Sequence, residues 1–164
     1  MASLAAQVNR RIASVRVILA ELSGTERTPF AQQALLESGV FHLYCGYTHY
    51  LRELCAYYGV KSVATISSAA DALEALTRQD KQPAEISEIN ELAGQPDSWL
   101  SQLAANYEAC WASESGAEVA ADNLIQVHQL DERALESLSE TLLKQWLGQM
   151  QELVERHRQS TTEY

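Results

Sequence analysis

Apolar residues recur along this chain mainly at helical spacing. Val8, Ile12, Val15, Leu19 and Leu22 follow at steps of four, three, four and three, the narrow stripe of a helix packed in a bundle. The pattern predicts a first helix from about Ser3 to Leu22, with Gly24 as the left-handed residue that ends it. Thr28-Pro29 then reads as an N-cap followed by the first helical position. The second helix is expected to run from there to Tyr58 and to stop at Gly59, spanning about 45 Å. On it, Leu36, Val40, Leu43, Tyr47, Leu51, Leu54 and Tyr58 share one broad arc, with Tyr44 and Cys55 at its edge. That arc is expected to face the core, with tyrosine rings buried and hydroxyls reaching its rim.

Shorter elements follow. After a connector over 60–68, Ser68 with Asp71 forms a capping arrangement for a short helix through Leu73 and Leu76. Beyond Pro83, Ile86, Ile89 and Leu92 make a second short stripe, flanked by Glu85, Glu88 and Glu91. Gly94 and Pro96 separate it from a helix over about 97–112, where Trp99, Leu103, Tyr107 and Trp111 lie four apart and Leu100 and Cys110 widen the buried face. Residues 113–130 fit no single pattern: Leu124 to His128 reads equally as helix or as a strand that would pair across a dimer. Asp131 is expected to cap a last helix over about 132–157, whose apolar positions from Leu135 to Val154 cover a wide arc. Residues 160–164 read as a frayed tail. The sum is a single all-α domain over residues 1–159, four-helix-bundle-like with short extra helices in the middle connection.

Charge changes the picture of partners. The net charge is −10, and residues 71–140 hold fifteen acidic against three basic groups, a balance of −12. Such a segment repels phosphate backbones, so no nucleic-acid partner is expected, and its simplest role is a solvated surface. No apolar run approaches the roughly 20 residues needed to span a bilayer, and the first residues lack the pattern of a signal peptide. Cys45, Cys55 and Cys110 show no metal-type spacing, which fits reduced thiols in the cytoplasm.

The candidate chemistry lies on the second helix, opposite its tyrosine arc. His42, Cys45, Gly46, His49 and Glu53 fall within roughly 100° of one another, with Arg52 beside them. His49 and Glu53 are one turn apart, close enough to share an ion or a proton. His42 and His49 are two turns apart, about 10 Å along the axis, so one metal would need ligands from another helix as well. Gly46 would let a neighbouring helix or subunit approach closely. The Glu-x-x-His of di-iron bundles and the His-Glu-x-x-His of zinc proteases are both absent. Arg52 is followed by no histidine at the spacing used by HEPN-type ribonucleases. His157, between Arg156 and Arg158, suits the negative end of the last helix, and Cys110 beside Trp111 reads as core.

Two segments, Phe41-His-Leu-Tyr-Cys-Gly-Tyr-Thr-His-Tyr-Leu-Arg-Glu-Leu54 and Ser98-Trp-Leu-Ser-Gln-Leu-Ala-Ala-Asn-Tyr-Glu-Ala-Cys110, resemble a small family of uncharacterised gammaproteobacterial, pseudomonad-type proteins. The resemblance implies a bacterial cytoplasmic protein and brings no activity, cofactor or functional residue. The expected function is non-enzymatic: self-association as a homodimer or binding of a protein partner, without a cofactor. The alternative is a small-ligand- or metal-binding bundle that uses the His42/His49/Glu53 face, with Arg52 as an anion contact.

Overall fold

A computed structural model describes residues 3–24, 26–112 and 137–162. Among the described residues the chain is all-α, with six helices and no strand: α1 (Leu4–Gly24), α2 (Pro29–Tyr57), α3 (Ala69–Thr77), α4 (Ala84–Gly94), α5 (Trp99–Ala109) and α6 (Glu140–Thr162). The ambiguous segment from Leu124 to His128 and the Asp131 cap lie outside the described residues.

The long α2 starts where its cap dictates. Thr28 is extended and its hydroxyl accepts from the Ala31 amide, with Pro29 in the first turn. The helix closes before Gly59, whose φ of 88° lies in the left-handed region that a side chain would disfavour. Between these ends α2 packs against α1, α3, α5 and α6. Leu36, Val40, Leu43, Tyr47, Leu51 and Leu54 are buried as expected, and Tyr58 is half-buried. Val8, Ile12, Val15 and Leu19 of α1 and Leu143, Trp146, Met150, Leu153 and Val154 of α6 complete this core.

Small residues bring α2 close to its neighbours. A Cβ at Gly39 would overlap the buried Leu143 side chain of α6, and one at Gly46 would stand 3.2 Å from Arg11 Cβ of α1. Gly46 therefore admits a neighbouring helix, as its position suggested. The Ser68–Asp71 pairing is a full capping box: the Ser68 hydroxyl accepts from the Asp71 amide while the Asp71 carboxylate accepts from the Ser68 amide. Ser67 adds its own amide and hydroxyl to that carboxylate at 2.9 and 2.7 Å.

Several boundaries and faces differ from expectation. Gly24 is the last helical residue of α1 and not a left-handed stop. In α5 the buried positions are Leu100, Leu103, Asn106 and Ala109. The helix stops at Ala109, so Trp111 turns outward at 67% exposure and Cys110 is exposed as well, neither being core. The last helix does not run through Ser137, Leu138 and Ser139; the Ser139 hydroxyl accepts from the Leu142 amide and α6 begins at Glu140. It continues past His157 to Thr162, and the Tyr57 hydroxyl donates to the Thr161 carbonyl at 2.8 Å.

Candidate functional site

The six residues of the strip opposite the tyrosine arc separate into three environments. The first faces α1. Arg11 reaches across to His42, its guanidinium 2.9 Å from Nδ1. A guanidinium only donates, so His42 accepts at Nδ1 and carries its proton on Nε2. Burial, then the nearby Arg11 and Arg10 charges, hold His42 below the ordinary histidine value. Gly46 lies under the same Arg11 stem.

The second environment is the outer face of α2. Cys45 is half-buried and free, and burial pushes its thiol up although Arg11 and Arg52 pull the other way. Burial, with Arg52 and Arg11 adding to it, depresses His49, whose Nδ1 is enclosed without a partner among the described residues. Arg52 donates from Nε to the Ile66 carbonyl at 2.9 Å, tying α2 to the connector before α3.

Glu53 belongs to a third environment. Arg158 of α6 grips both of its carboxylate oxygens at 2.8 Å and donates to Asn9 of α1 at 3.0 Å. Such a forked pair occupies the carboxylate, so Glu53 and His49 do not converge on a common point. Among the described residues no group of three or more histidine, cysteine or acidic side chains is placed to hold a metal ion. The surface depressions beside Lys61, Asp71 and Arg78, and between α1 and α6, include none of the six strip residues.

Two further arrangements escaped the sequence. Tyr50, outside the expected core arc, is fully buried and its hydroxyl lies 2.8 Å from His157 Nδ1. His157 Nε2 is 2.8 Å from Glu88, which also takes both terminal nitrogens of Arg156 at 2.9 and 2.6 Å. The basic cluster of α6 therefore points sideways to α2 and α4 and does not cap its own helix, whose last turn holds no basic residue. Glu88 drops to about 2, chiefly through Arg156 and against the effect of burial, with His157 assisting. Beside it, Glu85 accepts from the Tyr58 and Ser160 hydroxyls, each at 3.0 Å. Burial, reinforced by Glu85, pushes Tyr58 up to about 12.

The second arrangement lies on the surface. Tyr44 of α2 stacks on Tyr107 of α5 with centroids 4.0 Å apart and planes at 11°. Phe41 stacks on Tyr107 at 6.4 Å and Trp111 meets it edge-on at 6.1 Å. Phe41 and Trp111 are 41% and 67% exposed, and the Arg11 guanidinium stands 5.8 Å from the Phe41 ring centre. The periodicity of α5 had assigned Trp111 to the core, so the sequence contained the rings but not their exposure.

A model described as a family of unknown function, DUF6586, matches residues 1–164. The chain belongs to that family. No curated protein and no solved structure matches it. Membership in DUF6586 therefore assigns no activity to any of the three arrangements. No helix among the described residues is long and apolar enough to cross a membrane.

Proposed function

We propose that this protein works by association, without catalysis, and that its partner is a second copy of the same chain met through the aromatic surface of α2 and α5. The reading is carried by the ring stack that runs outward from Tyr44 through Tyr107 and ends in the exposed Phe41 and Trp111. Aromatic side chains held by their neighbours have little freedom left to lose on docking, and they offer large apolar area.

Charge around the rings supports a like partner. Arg10 and Arg11 lie on α1, while Glu108 of α5 acts on Tyr44 and Glu37 of α2 acts on Cys110. In a two-fold interface each flank of one copy meets the opposite flank of the other. A patch basic on one edge and acidic on the other is therefore complementary to itself. The same proposal places the protein in a reducing, cytoplasmic setting, since all three cysteines are free, and the charge of −10 opposes nucleic acid as partner.

Sedimentation analysis tests the reading. The wild-type chain is expected to dimerise, and the Phe41→Ser, Trp111→Ser double variant to remain a folded monomer with affinity reduced at least about tenfold, or about 1.4 kcal/mol. A wild-type chain that stays monomeric at high micromolar concentration rejects self-association, as does a double variant that dimerises unchanged.

A further inference from the structure

The strip on α2 changes character once its ion pair is assigned. Glu53, its only acid, is held by Arg158. Besides Gly46, the remainder is His42, Cys45, His49 and Arg52, with Arg11 reaching over from α1. Positions 42, 45, 49 and 52 fall within roughly 80° on the helix. The charged groups that act on His42, Cys45 and His49 are all arginines: Arg10, Arg11 and Arg52.

Among the described residues, neither Arg11 nor Arg52 pairs with a carboxylate. That is unexpected in a chain with 22 acidic and 12 basic groups. Like charges gathered on a half-buried surface repel one another and raise the energy of the folded state. Structural roles explain part of the cluster: Arg52 Nε holds the Ile66 carbonyl and Arg11 holds His42. They leave the Nη groups of Arg52 and the Nε2–H of His42 without an acceptor among the described residues. They do not explain His49, whose Nδ1 is enclosed without a partner among the described residues, so that only its Nε2 edge is left to meet a solute. An apolar residue would fill that position without the roughly 1–3 kcal/mol that an unsatisfied buried polar atom costs.

We infer that His49 and Arg52 on the outer face of α2, together with His42 and Arg11 where that face meets α1, form a binding site for a small oxyanion bearing a phosphate or carboxylate group. Planar guanidinium groups match the paired oxygens of such ligands, and partial burial strengthens each charge-assisted hydrogen bond. The ligand's negative charge would relieve the repulsion among the arginines. A metal cation would instead meet charges of its own sign. Cys45, lifted by burial, stays a protonated thiol and lines the site without acting as a nucleophile. The inference rests on side chains of α1 and α2 and shares Arg11 with the basic edge of the surface proposed for self-association.

The test is a titration of the 15N-labelled protein with inorganic phosphate, followed by NMR, with succinate and chloride at matched ionic strength as separate arms. Saturable shifts are expected at the amides of residues 42–52 and at the Arg11 side chain, with phosphate or succinate binding at least about tenfold more tightly than chloride. A stronger phosphate arm identifies a phosphoryl ligand and a stronger succinate arm a carboxylate. Arg52→Gln should weaken binding by about tenfold, while Arg52→Lys should retain part of it. His49→Gln, which breaks no hydrogen bond among the described residues, gives an independent reading if Arg52→Gln fails to fold. The inference is overturned if no arm saturates, if chloride matches the oxyanions, or if folded variants bind as tightly as wild type.

Discussion

At Tyr50 and His157 two polar side chains are enclosed where α2, α4 and α6 meet, and each satisfies the other. The hydroxyl lies 2.8 Å from Nδ1, and Glu88 on the far side of the ring fixes which way the imidazole points. Tyr50→Phe keeps the ring and removes the partner of a buried nitrogen. It is expected to lower unfolding stability by about 1–3 kcal/mol, read as a drop in urea midpoint at constant slope. A change below about 0.5 kcal/mol would show that the hydroxyl contributes nothing specific. Neither residue announced this role in sequence. Tyr50 falls off the arc drawn through Tyr47 and Leu54, and His157 sits between arginines that looked like helix-end charges. Neighbours along a helix are legible from spacing, but a partner 107 positions away is not. Glu53 illustrates the same point: its one-turn spacing from His49 is real, yet Arg158 draws it elsewhere.

Several helix termini were legible because their signals are local, although Gly24, the end of α5 and the start of α6 were not. Thr28-Pro29, Gly59 and the Ser68–Asp71 pair all act in the structure as their residue types require. The capping box of α3 gives a direct check. Ser68→Ala removes the acceptor for the Asp71 amide and should cost about 1 kcal/mol, within the range for lost N-caps. Amide exchange should show that loss concentrated in residues 69–77, and uniform protection across α3 would contradict it. Buried faces were legible where a stripe was long, as in α1 and α2. They were misplaced in α5, where Trp99–Leu103–Tyr107–Trp111 and Leu100–Leu103–Asn106 are competing stripes through Leu103. Packing buries the second and leaves Trp99 and Tyr107 of the first partly buried and Trp111 exposed, with Asn106 at 3% exposure. Its Nδ2 donates to the Gln102 carbonyl within the same helix at 2.9 Å. An asparagine in the core is a choice that hydrophobic patterning disfavours, and so it passed unread.

Across the whole molecule, acidic residues join elements, among them Glu88 and Glu140 of the segment expected only to solvate the surface. Glu88 ties α4 to α6, Glu53 ties α2 to α6, and the Ser23 hydroxyl meets Glu140 at 2.5 Å between the end of α1 and the start of α6. These links give the fold a direction of pH dependence. Glu88 holds its proton less tightly when folded, at about 2 against an ordinary 4.5, so its stabilisation is complete above 4.5 and is lost as pH falls from there toward 2. Solvent screening of this partly exposed pair moderates the size of that loss. His42 and His49 are also depressed, from 6.5, so protonating them opposes folding and the decline begins below 6.5. Stability measured by urea at stepped pH should therefore fall steadily on acidification from about pH 7. Glu88→Gln should flatten the part of the curve below 4.5, and an unchanged slope in that variant would remove Glu88 from the account.

The order in which the ribosome releases the chain gives the joint at Arg158 another meaning. Helices α1 and α2 are consecutive and can meet while synthesis continues, but the arm that grips Asn9 and Glu53 belongs to residue 158. Until that residue emerges, Tyr50 and the flank of α2 that α6 later covers have no lid. At elongation rates of about 5–20 residues per second, more than a hundred further residues take on the order of ten seconds. For that interval the nascent chain exposes an apolar face that the finished protein conceals.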